Sequence, residues 1–339
     1  MTAIESDRLP QGQAVAESRS LTREERQFRI VGPIAALAWV GVAALIEFWR
    51  EIIPQPYGRE LAIIALVLAA VTLVVLATGR ALGPVAGFVR YYAPWSIAAA
   101  AIVAGWEIAT AKTGALPLPF FSSPQSILEV YLDDYSRLGT SVGYSLLLLV
   151  KGYALGALAG FSLGVLVGWS KLAGYWVHPV LRLVGPLPAT AWLPLSFFIF
   201  PTSASASVFL IALATAFPVT ILTWSGIASV NRDFYDIART LGASQRFLIL
   251  KVAIPAALPH VFVGLFMGLG TAFAVLVVAE MLGVKAGLGW YLQWAQGWAA
   301  YANMYAALIV MALMCSSLIT ILFRVRDRTL SWQKGLVRW

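Results

Sequence analysis

From residue 30 onward the chain consists of long apolar stretches separated by short polar or basic ones. A run of about 20 apolar residues crosses the hydrocarbon of a bilayer as a helix, because a helix satisfies its backbone amides and carbonyls within its own segment. Residues 30–49, 61–78, 94–111, 142–169, a proline-broken stretch after Arg182, 206–230, 260–282 and 301–325 give room for about eight such spans. The composition agrees, with 60% hydrophobic and only 12% charged residues, about half the charged share of a soluble domain. The expectation is an all-α polytopic membrane protein.

A net charge of +8 would suit nucleic acid, but the basic residues fall in short clusters between apolar runs, so topology and lipid headgroups explain them and no nucleic-acid partner is expected. The single Cys315 lies inside an apolar run, and with only His178 and His260 beside it the chain has too few ligands for a zinc site. No metal site is expected. There is no G-x-x-x-x-G-K-[ST] phosphate loop, no H-E-x-x-H and no grouping of nucleophile and base, so the chain reads as no enzyme.

Residues 1–29 form a polar tail of mixed charge, with Arg23, Arg26 and Arg29 crowding the first span. Pro94 and Trp95 are expected to open the third span, and Ser123-Pro124 to start a short amphipathic helix at the outer surface. In the fourth span Gly152, Gly156, Gly160, Gly164 and Gly168 recur every fourth residue, a stripe on one helix face that lets a neighbouring backbone approach closely. The fifth run is broken by Pro186, Pro188, Pro194 and Pro201, and Pro218 is expected to kink the sixth. Trp290, Trp294 and Trp298 are four residues apart, which puts them on one side of a short helix; they suit an interfacial belt or a gate. Of the charges within spans two stand out: Lys151, which suits either a path or snorkelling to the interface, and Glu280, which suits closing the cavity, holding the outer loop or a simple helix-end contact. A basic tail, 324–339, follows the last span.

With eight spans and both ends inside, Arg80, Arg90, Lys171, Arg182, Arg239, Arg246, Lys251 and the basic tail face the cytoplasm. Arg50, Arg59, Lys112, Arg137 and Lys285 face outward, which agrees with the positive-inside rule. Residues 235–259, YDIARTLGASQRFLILKVAIPAALP, then lie inside. Asp236 suits the amino-terminal end of a helix, Gly242 a turn, and Pro255 the restart of a helix. Ile237, Leu241 and Ser244 fall on one side, away from Arg239 and Arg246, and offer a ridge to a partner.

The spacing of Asp236, Ala238, Gly242, Val252, Ile254 and Pro255 resembles the E-A-A-x-x-x-G, nine residues, I-x-L-P signature of ABC importer permeases, with Asp236 in place of glutamate and Ile237 in place of the first alanine. The stretches TSVGYSLLLLVKGYALGALAGFSLGVLVGWS, HPVLRLVGPLPATAWLPLSFFIF and VVAEMLGVKAGLGWYLQWA also resemble the nitrate, sulfonate and taurine class of that family, and the resemblance covers roughly 95–339. It implies a type I transmembrane domain with a six-helix core at 95–323, to which 30–94 adds two transmembrane helices. It further implies a cytoplasmic coupling helix at about 235–247 docked on an ATPase through Asp236, Ala238, Arg239, Leu241, Gly242, Ala243 and Pro255. Lys151, Pro188, Pro194, Glu280, Trp290 and Trp294 are the residues expected along the path or gate. The implied partners are two ATPase subunits, which bind ATP and Mg2+, a second permease copy forming a homodimer, an extracytoplasmic solute-binding protein and the lipid of a bacterial inner membrane. No cofactor is expected in this chain. The implied solute is a small anion of the nitrate, sulfonate, taurine or bicarbonate class. A secondary transporter or channel, a membrane scaffold for an ATPase, and an importer of amino-acid-type solutes are the competing readings.

Overall fold

The computed structural model describes residues 23–78 and 83–333, so most of the polar tail, Arg80, and Lys334 and Arg338 of the basic tail lie outside the described residues. The described residues are helical, and they form two compact units, one up to Val130 and one from Tyr131 onward.

The first unit contains α1 (Arg23–Phe48), α2 (Gly58–Thr78), α3 (Gly83–Glu107) and the start of α4 (Pro124–Asp133). Alanines set the spacing where α1, α2 and α3 meet. Ala36, Ala43, Ala62, Ala65, Ala69 and Ala100 are buried around Trp39, and small side chains let apolar helices approach closely. The Trp39 indole donates to Ser96 Oγ at 2.8 Å, which satisfies its one polar atom. α3 packs here, and the compact units divide after Val130. Pro94 lies inside α3 and does not open it.

One polar knot closes this unit. A π turn, Ile108–Lys112, brings Lys112 back under the end of α1, where its ammonium donates to the carbonyls of Ile46 (3.1 Å) and Trp49 (2.7 Å). A cation at a helix carboxy terminus meets carbonyls that have no partner within the helix. Glu107 lies 3.3 Å from the same ammonium, Glu51 3.7 Å, and the Gln125 amide donates to both carboxylates. The Lys112 side chain is thus fully buried among partners of its own unit.

The second unit contains α5 (Tyr135–Trp169), α6 (Lys171–Val184), α7 (Leu193–Ile199), α8 (Ser203–Ala228), α9 (Arg232–Thr240), α10 (Gln245–Gly283), α11 (Leu288–Gly297) and α12 (Tyr301–Thr329). The glycine stripe of α5 lies against α8. A Cβ on Gly160 would come within 2.6 Å of the Ala216 carbonyl, and one on Gly156 would run into the Ala212 carbonyl. No side chain fits between the two backbones, so the stripe is a packing device. Tyr153 Oη donates to the Leu265 carbonyl at 2.8 Å and Thr271 Oγ1 to the Ala214 carbonyl at 3.0 Å, which fixes α10 against α5 and α8.

Among the described residues six helices are long and apolar enough to cross a membrane, and up to seven if a bent pair counts as one span. The pair is α6 with 189–199, broken by 87° where Pro186 and Pro188 interrupt the ladder. The third expected span, 94–111, falls largely within α3, which Arg90, Tyr91 and Tyr92 make less apolar than these helices.

Candidate functional site

Three places in the second unit gather the residues singled out above. The first is α9. Asn231 caps it, its side chain accepting from Asp233 N at 3.0 Å, and Asp233 occupies the first turn. Asp236 is therefore in mid-helix, not at the amino-terminal end, and pairs with Arg239 at 3.2 Å on an exposed surface. Gly242 ends the helix with φ +80°, a left-handed conformation that glycine adopts without strain. Its N–H donates to the Arg239 carbonyl at 2.9 Å, and that of Ala243 to the Ala238 carbonyl at 3.0 Å.

Helical structure resumes at Gln245, capped by Ser244, so Ser244 belongs to the next helix and not to the ridge of α9. Pro255 stands in the first turn of the α-helical segment Ile254–Gly283 of α10, where regular α-helix resumes directly after a π turn, Leu248–Ala253. The widened turn accommodates carbonyls that a proline leaves unbonded. Tyr235 anchors α9, its ring edge-on to Trp169 at 5.7 Å and packed near Ile227, Ala253 and Ala257. Burial pushes the Tyr235 phenol up from its ordinary value, with the Arg239 charge opposing. Phe234 (56% exposed), Ile237 (60%) and Leu241 (83%) form an uncovered apolar ridge.

The second place is a cavity of about 570 Å³ between α5, α8 and the chain at Phe200 and Val284. Leu147, Leu148, Leu155, Phe200 and Phe209 make its walls apolar, and Lys151 is the one charged residue lining it. Among the described residues no carboxylate pairs with Lys151.

The third is a buried clasp around Glu280, near the end of α10. The Ser145 hydroxyl lies 2.7 and 2.9 Å from its two oxygens and Gly289 N–H donates to Oε2 at 2.8 Å. Leu288 N–H in turn donates to Ser145 Oγ at 2.8 Å. A carboxylate and a hydroxyl thus cap the amino terminus of α11, where free amides and the helix dipole favour negative charge. Gly287 precedes them at φ +109°, and a Cβ there would run into the Glu280 carboxylate. One turn on, Tyr291 Oη donates to Asp134 Oδ2 at 2.7 Å and receives the Asn303 amide at 2.6 Å.

Of the tryptophans, Trp290 and Trp294 pack on the main core, and the Arg137 guanidinium lies 4.5 Å above the Trp294 ring. Trp298 lies beyond the end of α11 and is exposed, so the three do not share one side of a helix. Pro188 and Pro194 flank the 3-10 turn Ala189–Trp192 at the break of the bent pair, and neither lines the Lys151 cavity. Ser145, Asp134 and Asn303 were not singled out from the sequence. Ser145 left one trace there, a hydroxyl at the head of a run of leucines.

Residues 152–330, more than half of the chain, match the family described as binding-protein-dependent transport system inner membrane component. The chain belongs to this family. The nitrate import permease protein NrtB of Synechococcus elongatus is 31% identical over 59% of this chain and 75% of its own length. The bicarbonate transport system permease protein CmpB of the same species is 30% identical over 58% of this chain and 66% of its own. An inward-facing structure of the MetNI methionine ABC transporter matches at 16% identity with a TM-score of 0.49, over 57% of this chain and 96% of that one.

The permease is therefore a multi-pass inner-membrane protein, the membrane component of a binding-protein-dependent ABC importer. It carries no ATPase domain, and in this family ATP and Mg2+ are handled by a partner ATPase while a binding protein delivers the solute. That excludes a free-standing secondary transporter, channel or scaffold as its role.

Proposed function

We propose that this permease imports a small anion of the nitrate, bicarbonate, sulfonate or taurine class, and that Lys151 lies on the path. The observation that carries the reading is the unpaired ammonium in an otherwise apolar cavity of the permease core. Such a charge is costly next to lipid and is retained where a solute or water meets it. The solutes in the names of two relatives, nitrate and bicarbonate, support the same class.

In this reading α9 is the coupling helix. Its ridge of Phe234, Ile237 and Leu241 fits a groove on the ATPase, and closure of two ATPase subunits moves it. Asp236, Ala238, Arg239, Ala243 and Pro255 shape that helix and its return, and the clasp at Glu280 holds α11 over the outer end of the path. The permease works as a homodimer with both termini in the cytoplasm, and Trp290 and Trp294 of α11, packed on the core, serve as part of its gate.

The test is uptake into proteoliposomes holding the permease, its ATPase and its binding protein, with labelled nitrate, bicarbonate, taurine and methionine compared. Lys151→Gln is expected to lower uptake of the anion at least tenfold while Lys151→Arg retains most of it. Equal uptake by Lys151→Gln, or transport of methionine alone, would refute the proposal.

A further inference from the structure

A second cavity, of about 710 Å³, opens where α5 turns into α6. Lys171, His178 and Arg182 line it together with Trp169, Gly174 and Trp224, and no carboxylate does. The three basic residues are about two and three helical turns apart along α6, so they share one face. His178 is held edge-on against the Trp224 ring at 4.2 Å. Beside this face α6 carries an apolar strip of Leu172, Trp176, Val180 and Leu183, all exposed.

Depth in the bilayer follows from length. With 35 residues, α5 is about 52 Å long at 1.5 Å per residue, well beyond the roughly 30 Å of hydrocarbon. Its Trp169 end therefore reaches headgroup level, and Ser170 starts α6 there through a hydrogen bond from Ala173 N. A helix with one basic and one apolar face, and with tryptophan and tyrosine at its start, has the composition of an element lying in the interface.

We infer that this cavity binds the phosphate of an anionic phospholipid, whose acyl chains lie over Leu172, Trp176 and Leu183. Charge complementarity selects this occupant. A second copy seated symmetrically on the same face would set Lys171 and Arg182 against like charges, whereas a lipid phosphate neutralises them and the adjoining apolar strip accepts its chains. Trp169 lines the cavity and also packs against Tyr235 of α9, so the occupied site adjoins the cytoplasmic helix.

The experiment uses the permease purified with its ATPase in mild detergent, given phosphatidylglycerol or phosphatidylcholine and weighed intact by native mass spectrometry. Phosphatidylglycerol is expected to be retained in preference to phosphatidylcholine, and millimolar inorganic phosphate is expected not to displace it. Lys171→Gln with Arg182→Gln should weaken retention about 30-fold, as removal of two basic residues from an anionic surface predicts. Lys171→Arg with Arg182→Lys should keep it, which separates loss of charge from loss of fold. Equal retention of both lipids, or unchanged retention by the glutamine pair, would overturn the proposal. Displacement by inorganic phosphate would make the cavity a soluble-anion site instead, and a disulfide between two copies through Trp176→Cys would give the face to the second copy.

Discussion

Single side chains decide the geometry at the end of α10. Ser145 uses its hydroxyl twice, accepting from Leu288 N–H and donating to Glu280, so the carboxylate holds the loop both directly, at Gly289 N–H, and through Ser145. Ser145→Ala leaves one buried amide without an acceptor and is expected to cost about 1–3 kcal/mol, read as a lower unfolding temperature of the purified permease. Glu280→Gln keeps the shape but brings an amide donor against Ser145 or Gly289 N–H. It is expected to assemble normally and to alter solute-stimulated ATP hydrolysis; unchanged stimulation in proteoliposomes would remove Glu280 from the mechanism.

Glycines at the element scale have two distinct causes. Along α5 the cause is proximity to α8, and the comparison lies within one helix: Gly156 faces the Ala212 carbonyl while Gly143 faces open space. Gly156→Ala should destabilise by about 1–3 kcal/mol through overpacking, whereas Gly143→Ala should stabilise by about 0.5–1 kcal/mol through helix propensity. Thermal unfolding of the two variants checks the opposite signs. At Gly242 the space around the Cβ position is open and only the backbone angle demands glycine. A β-branched residue there strains the exit of α9 by about 1–2 kcal/mol. Gly242→Val is accordingly expected to insert and assemble yet lose coupling, seen as ATP hydrolysis that no longer responds to loaded binding protein.

At the scale of the molecule, the two compact units are stabilised differently. The first is closed by a buried ionic knot around Lys112 and the second by close backbone packing of α5, α8 and α10. Orientation belongs to this scale too. In a Cys315→Ala background, Lys285→Cys should react with a membrane-impermeant maleimide on intact cells, and Ser244→Cys only after lysis. The reverse pattern would invert the proposed topology.

Much of this was legible in the chain because bilayer physics writes it there. Apolar runs, the glycine stripe of α5 and the stop at Gly242 are local properties that backbone pairing and helix periodicity fix without reference to distant residues. The burial of Lys112 was not legible, since its partners Ile46, Trp49 and Glu51 are some sixty residues away and only the π turn of 108–112 brings them together. Nor was the start of α9, where Asn231 outcompetes the acidic residue within the motif as a cap. The sequence alone determined that the chain spans a membrane and which helix faces could pack closely. Tertiary structure decided that Glu280 caps α11, that Lys151 lines its cavity with no carboxylate partner among the described residues, and that Lys171, His178 and Arg182 converge. Pairing between distant polar groups depends on where the packed helices bring them.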